Sequence, residues 1–129
     1  MTLIKVLKSK IHRATVTHAN VEYEGSITIP LELMNAAGLH EYEAVAVWNI
    51  SNGNRFETYV IKGEENSGII CVNGAAAHLV DIGNLIIIAC FTYHDESVLK
   101  DYKPGVVFVD AKNRQKELRE EVPGPNLPV

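Results

Sequence analysis

The sequence predicts a mainly β protein, a closed β-barrel with short helices, and three observations carry that prediction. The chain is a succession of short runs rich in Val, Ile and Thr. Gly, Asn and Pro punctuate those runs at turn-like intervals, and only one segment has the flanking residues of a helix. The 129 residues fit one domain, read as 1–129, with no repeat and no internal linker. Hydrophobic residues at 47% supply one core, and charged residues at 22% are ordinary for a globular chain.

In chain order, Thr2 to Leu7 and Ala14 to Val21 read as strands, the second alternating through Thr15, Val16 and Thr17. Tyr23-Glu24-Gly25-Ser26 interrupts, and Ile27-Thr28-Ile29 resumes an extended run. Pro30 opens a short helix over Leu31 to Ala37, which Gly38 stops. Ala44 to Ile50 is a strand. Asn52-Gly53 signals a two-residue hairpin, because both residues tolerate positive φ, and Arg55 to Ile61 returns. Gly68 to Val72 and Asn84 to Thr92 follow. The second of these is so continuously apolar that burial on both faces is expected. Between them Gly74-Ala75-Ala76-Ala77-His78 is too short and small for a core helix and reads as a tight loop or one helical turn. Val106 to Val109 is the last expected strand. The tail from about residue 112 is charged to Glu121, and Pro123 to Pro128 cannot hold regular structure, so 112–129 is expected to be mobile.

Several function classes lose support. Met1 to Lys5 shows no apolar leader region, and the longest apolar run, Leu85 to Phe91, is too short to span a bilayer. A cytoplasmic protein without a membrane partner is expected. Net charge is −4 with scattered basic residues, which disfavours nucleic acid as a partner. Cys71 and Cys90 sit in apolar runs and read as buried thiols in a reducing compartment. His18, His40, His78 and His94 form no metal spacing, and no metal is expected. A phosphate loop, a nucleophile elbow and a paired-carboxylate signature are all missing.

What remains is suggestive. Gly25 lets a neighbouring hydroxyl approach its carbonyl, and Ser26 Oγ can attack that carbonyl in an N→O acyl shift; the bland alternative is a turn serine. Lys10 and His12, two apart, share one strand face and can hold a carboxylate, unless that face is merely solvated. Arg55 and Tyr59 share a face of the strand after the hairpin, with Thr58 on the other. Arg55 suits a bidentate carboxylate pair and Tyr59 a proton donor, although a rim arginine and a half-buried aromatic fit equally. The small side chains after Asn73 leave backbone N–H groups open to a ligand, or simply pack a tight corner.

Together these blocks resemble the bacterial aspartate 1-decarboxylase family. The resemblance is carried by Lys8-Ser9-Lys10-Ile11-His12-Arg13, Val16-Thr17-His18-Ala19, Tyr23-Glu24-Gly25-Ser26, Trp48-Asn49, Asn52-Gly53-Asn54-Arg55-Phe56, Thr58-Tyr59 and Val72-Asn73-Gly74-Ala75-Ala76-Ala77-His78. These run in register from about residue 3 to 110. Ile27 stands where familiar members carry a small or polar residue, and the C-terminal tail carries no family motif.

The resemblance implies a six-stranded double-psi β-barrel assembled as a homotetramer. It implies autocatalytic cleavage between Gly25 and Ser26, giving a β chain of 1–25 and an α chain of 26–129 that starts with a pyruvoyl group made from Ser26. Thr58 assists that processing. Aspartate then forms a Schiff base with the pyruvoyl ketone, loses carbon dioxide and takes a proton from Tyr59. The product is β-alanine for pantothenate biosynthesis. Lys10 and Arg55 are implied as partners of the substrate carboxylates. Thr58, Asn73, Gly74, Ala75 and Ala76 complete the pocket, with His12 in support. Two other readings stand beside this one: a pyruvoyl enzyme acting on glutamate or another small amino acid, and a non-enzymatic barrel that binds DNA or a ligand.

Overall fold

Alternation of side chains draws the N-terminal residues into one long strand, β1 (Leu3–Thr15). Ser9, Ile11 and Ala14 point inward and are buried, while Lys8, Lys10 and His12 stay half-buried on the other face. The strand expected at Thr2–Leu7 therefore runs on to Thr15 and takes the first two residues of the one expected at Ala14–Val21. The polar residues from Lys8 to Arg13 read as a break, but Lys8, Lys10 and His12 obey the two-residue period of a strand. The pairing register slips twice, between Leu7 and Ser9 and between Ile11 and Ala14, and at the second slip Arg13 has φ +66°. After Val16 and Thr17 the chain resumes as β2 (His18–Asn20).

This computed structural model describes residues 1–125. The remaining strands are β3 (Ser26–Pro30), β4 (Ala44–Asn49), β5 (Arg55–Gly63), β6 (Cys71–Asn73), β7 (Leu85–Asp95), β8 (Gly105–Val109) and β9 (Gln115–Arg119). One α-helix, α1 (Leu31–Ala37), matches the expected span, with Gly38 in the left-handed region at its C-cap. Pro30 lies one place earlier than expected, as the N-cap residue. Short 3₁₀ helices cover Gly74–Leu79 and Glu96–Asp101.

The fold is mainly β, as the sequence predicts. The described residues form a nine-stranded order, β2-β6-β3-β5-β4-β7-β1-β8-β9, where the resemblance implies six barrel strands. Because β2 follows β1 by only two residues, the chain ties the first place of this order to its far side. Thr17 reinforces the tie, since its N–H donates to the Ile70 carbonyl and its Oγ1 accepts from the Ile70 N–H at 3.0 Å. The apolar β7 runs between β1 and β4 and pairs antiparallel with both. Ile86, Ile88, Ala89 and Cys90 are buried, while Leu85 and Ile87 are half-buried.

Fully buried Ile11, Ile27, Ile29, Leu33, Ile70, Ile86 and Ile88 form the centre of the core. Each contributes roughly 1.5–3 kcal/mol of transfer free energy. Helix α1 covers one side with Leu33, Met34 and Ala37.

Two further expectations need correcting. The β4–β5 connection is not a two-residue hairpin. Asn49 N–H donates to the Asn54 carbonyl and Gly53 N–H to the Asn49 carbonyl, so four residues make the turn, with Gly53 alone at positive φ (+80°). Asn49 is buried and directs its amide to Asn84 and the Leu79 carbonyl, which favours the wider turn. The tail expected to be mobile from residue 112 instead supplies β9, paired antiparallel with β8. Its anchor is Asn113, fully buried, whose Oδ1 accepts from Thr15 N–H (2.8 Å) while Nδ2 donates to the carbonyls of Thr15 and Gly68 (2.9 Å each). Of the Pro123–Pro128 stretch, residues 126–128 lie outside the described residues.

Asn113→Ala strands those three backbone groups. A loss of about 2–3 kcal/mol is expected, read as a lower urea midpoint at unchanged slope. An unchanged midpoint would show that Asn113 is not the anchor of the tail.

Candidate active site

The chain crosses from solvent to interior between Gly25 and Ser26. Val21 to Gly25 are exposed, whereas Ser26, the first residue of β3, is 5% exposed. Strand β3 is held on both sides, antiparallel to β6 through Ser26↔Asn73 and parallel to β5 through Ile27↔Val60. The first pairing brings the Asn73 amide onto the serine: Nδ2 donates to Ser26 Oγ at 3.1 Å and to Thr28 Oγ1 at 3.3 Å. Asn73 Oδ1 in turn accepts from the Cys71 thiol at 3.1 Å, which fixes the amide's orientation.

The next residue, Gly74, has φ +78° and presses its backbone against the Gly25 backbone. A Cβ there would lie 2.6 Å from Gly25 Cα and 2.8 Å from Gly25 N, so only glycine fits. Ala75, exposed, and Ala76, half-buried, follow in the 3₁₀ helix that was expected as a loop or single turn.

Continuing the β3–β5 register one place back from Ile27↔Val60, within β3, places Ser26 beside Tyr59. Tyr59 accordingly lines the same depression as Ser26, about 360 Å³, with Tyr23, Glu24, Ile61 and Asn73. Burial along β5 alternates as the sequence predicts: Arg55, Glu57 and Tyr59 face out, Phe56, Thr58 and Val60 in. No hydrogen bond joins Thr58 to Gly25 among the described residues.

Tyr59 is steadied from the turn before β4. Tyr42 packs its ring on Tyr59 with centroids 6.4 Å apart, and it holds φ +71° because its N–H donates to the Val60 carbonyl at 2.7 Å. The neighbouring Glu43 accepts from Lys8 Nζ (3.0 Å), the His40 N–H (2.9 Å) and the Cys90 thiol (3.0 Å). Burial works to raise the Glu43 pKa, but the hydrogen bonds outweigh it and hold the carboxyl below its usual range. Burial and that carboxylate push the Cys90 thiol up to about 12. Cys71 and Cys90 are both free thiols.

The remaining candidates lie elsewhere. Lys10 and His12 share a face of β1, as expected, and line a separate cavity of about 140 Å³ with Val106, Phe108, Arg119, Glu121 and Val122. Lys10 Nζ pairs with Glu121. The His12 ring meets Phe108 edge-on at 5.3 Å, and its pKa is lowered by burial and by the charges of Lys10, Arg13 and Arg119. Arg55 stacks on Trp48 at 4.6 Å, four residues along β5 from Tyr59. In the single chain, then, Gly25, Ser26, Tyr59, Asn73 and Gly74 come together, while Lys10 and His12 do not join them. Sequence reasoning missed Tyr42, Arg119 and Glu121. No local pattern marks Tyr42, and the charged tail hides the alternation of β9.

Comparison with known proteins covers most of the chain. The family model described as "Aspartate decarboxylase" matches residues 1–116. The aspartate 1-decarboxylase of Legionella pneumophila (strain Lens) is 60% identical over 121 residues, covering 94% of this chain and 91% of the relative. That of Myxococcus xanthus is 54% identical over 121 residues, with 93% of each covered. That of Caldicellulosiruptor bescii is 60% identical over 111 residues, covering 86% and 87%. A family match across residues 1–116, with identity at this level over most of each chain, admits one conclusion: the chain belongs to the aspartate decarboxylase family.

Proposed function

We propose that this protein decarboxylates L-aspartate to β-alanine and carbon dioxide, using a pyruvoyl group that it makes by cutting itself between Gly25 and Ser26. The observation that carries the reading is the Ser26 hydroxyl, buried at the mouth of β3, held by Asn73 Nδ2 at 3.1 Å and sharing a cavity with Tyr59.

The donor set fits such a group. Asn73 occupies one lone pair of Ser26 Oγ and leaves the other for attack on the carbonyl of the preceding residue, Gly25. Attack forms the Gly25–O ester and breaks the Gly25–Ser26 amide, and the hydroxyl proton passes to the freed Ser26 nitrogen. Loss of the Ser26 α-proton then expels residues 1–25 as a carboxylate and leaves dehydroalanine, which water converts to the ketone with release of ammonia. Thr58, next to Tyr59 on β5, is the proposed donor to the oxygen that becomes negative during attack. The exposed loop before Gly25 gives the departing segment room.

The ketone supplies an electrophile for the substrate amine and a sink for the electron pair released with carbon dioxide. The chain's own side chains do the rest. Tyr59 Oη delivers the proton to the substrate carbon. Asn73 and the backbone of Gly74, Ala75 and Ala76 line the pocket. Arg55, on the face of β5 that carries Tyr59, and Lys10 take the two carboxylates. His12 supports Lys10 from the same face of β1.

Lys10 and Ser26 sit in different cavities of one chain, which supports a homotetramer in which subunits complete each other's sites. A strip of outward aromatics, with Trp48 and Phe91 at 6.3 Å and Tyr93 62% exposed, supports burial against other copies. The two free thiols suit the cytoplasm, and β-alanine suits supply of pantothenate biosynthesis.

Ser26→Ala removes the nucleophile. A folded, single, inactive chain is expected by intact mass, and a released 1–25 fragment from this variant would refute self-cleavage by Ser26. Tyr59→Phe keeps the ring and loses the proton, so cleavage is expected to proceed while β-alanine formation falls by about 10²-fold or more. Near-normal turnover would remove Tyr59 from its role. Assayed side by side, aspartate should outperform glutamate; equal rates would widen the substrate class. In sedimentation, a stable monomer with full activity would exclude sites completed between subunits.

A further inference from the structure

Lys10 is not free to meet a ligand. Strand pairing sets Lys10, Val106 and Arg119 in one row across β1, β8 and β9, and His12, Phe108 and Glu117 in the next row on the same face. The row brings two cations over an apolar wall, with the Arg119 guanidinium stacked on Phe108 at 4.0 Å. Two residues beyond Arg119, the chain turns the Glu121 carboxylate onto Lys10 Nζ inside the same cavity. The Lys10 side chain is 13% exposed and that of Glu121 is 55% exposed. The cation is therefore enclosed and fixed, and the carboxylate is the exchangeable partner.

We propose that Glu121 sets the enzyme's affinity for substrate by occupying Lys10 as an internal stand-in for the substrate carboxylate. The inference rests on the proposed role of Lys10 as a carboxylate anchor. A glutamate side chain and aspartate present the same carboxylate group, so both cannot take Lys10 at once. Substrate must displace Glu121, and the apparent affinity is reduced by the fraction of molecules in which the anchor is free. A half-exposed ion pair is weak, so the barrier is modest and the strap opens readily. Asn113 and the β8–β9 pairing hold the segment in place, which makes the competition intramolecular.

The test is KM for aspartate on fully cleaved protein, comparing wild type with Glu121→Gln. Glu120→Gln serves as the charge-matched control, because the Glu120 carboxylate pairs with Lys103 (2.9 Å) instead. Glu121→Gln is expected to lower KM about two- to fivefold, the range that a weak ion pair allows, and Glu120→Gln to leave it unchanged. The wild-type difference should shrink as salt is raised. An unchanged or higher KM in Glu121→Gln overturns the proposal, and so does an equal fall in Glu120→Gln, which would mean a general field effect. Lys10→Gln separates the two levels. If that variant makes β-alanine with an unaltered KM, the anchor reading itself is wrong, whatever Glu121 does.

Discussion

Strand β3 lies between β5 and β6, and every feature of the candidate site follows from that placement. An antiparallel neighbour on one side sets Ser26 against Asn73. A parallel neighbour on the other sets Ile27 against Val60. With both edges paired, the start of β3 cannot slide, because a one-residue slip would turn the buried Ile27 and Ile29 toward solvent. The apolar residues of a five-residue strand thus fix the position of the serine hydroxyl, and the amide of Asn73 fixes its orientation. The close approach of Gly74 to Gly25 is a further consequence, possible only because Gly74 carries no Cβ.

Around this centre the structure places supports rather than more reactive groups. The half-buried cluster of Glu43, Lys8 and Cys90 joins β1 and β7 to the turn before β4. Its carboxylate is charged and satisfied, and its thiol is held protonated, so the cluster is inert and rigid. That rigidity allows Tyr42 to keep an unfavourable backbone conformation against Tyr59. A strained residue persists where its surroundings over-determine it, and here two backbone hydrogen bonds and an ion pair do so. The β1–β8–β9 side has the opposite character, with cations enclosed over an apolar wall and a carboxylate from the chain's own tail among them.

The sequence alone determined the class of fold and the span of α1, because apolar alternation, Pro30 and Gly38 act locally. It also determined which face of β5 carries Arg55 and Tyr59, a direct result of the two-residue period. In-register motifs pointed to the family and to the Gly25-Ser26 bond. Tertiary structure decided the rest. It carried the first expected strand on through Lys8–Arg13 to Thr15, because Lys8, Lys10 and His12 all fall on one face. It widened the turn after β4, because the buried Asn49 amide seeks Asn84, thirty-five residues away. It gave the charged tail a strand, because Asn113 satisfies backbone groups of Thr15 and Gly68 that no local pattern reveals. It also separated Lys10 from Ser26 within one chain and put Glu121 on Lys10. Pairings between residues a hundred positions apart are set by which strands share an edge, and sequence spacing does not carry that information.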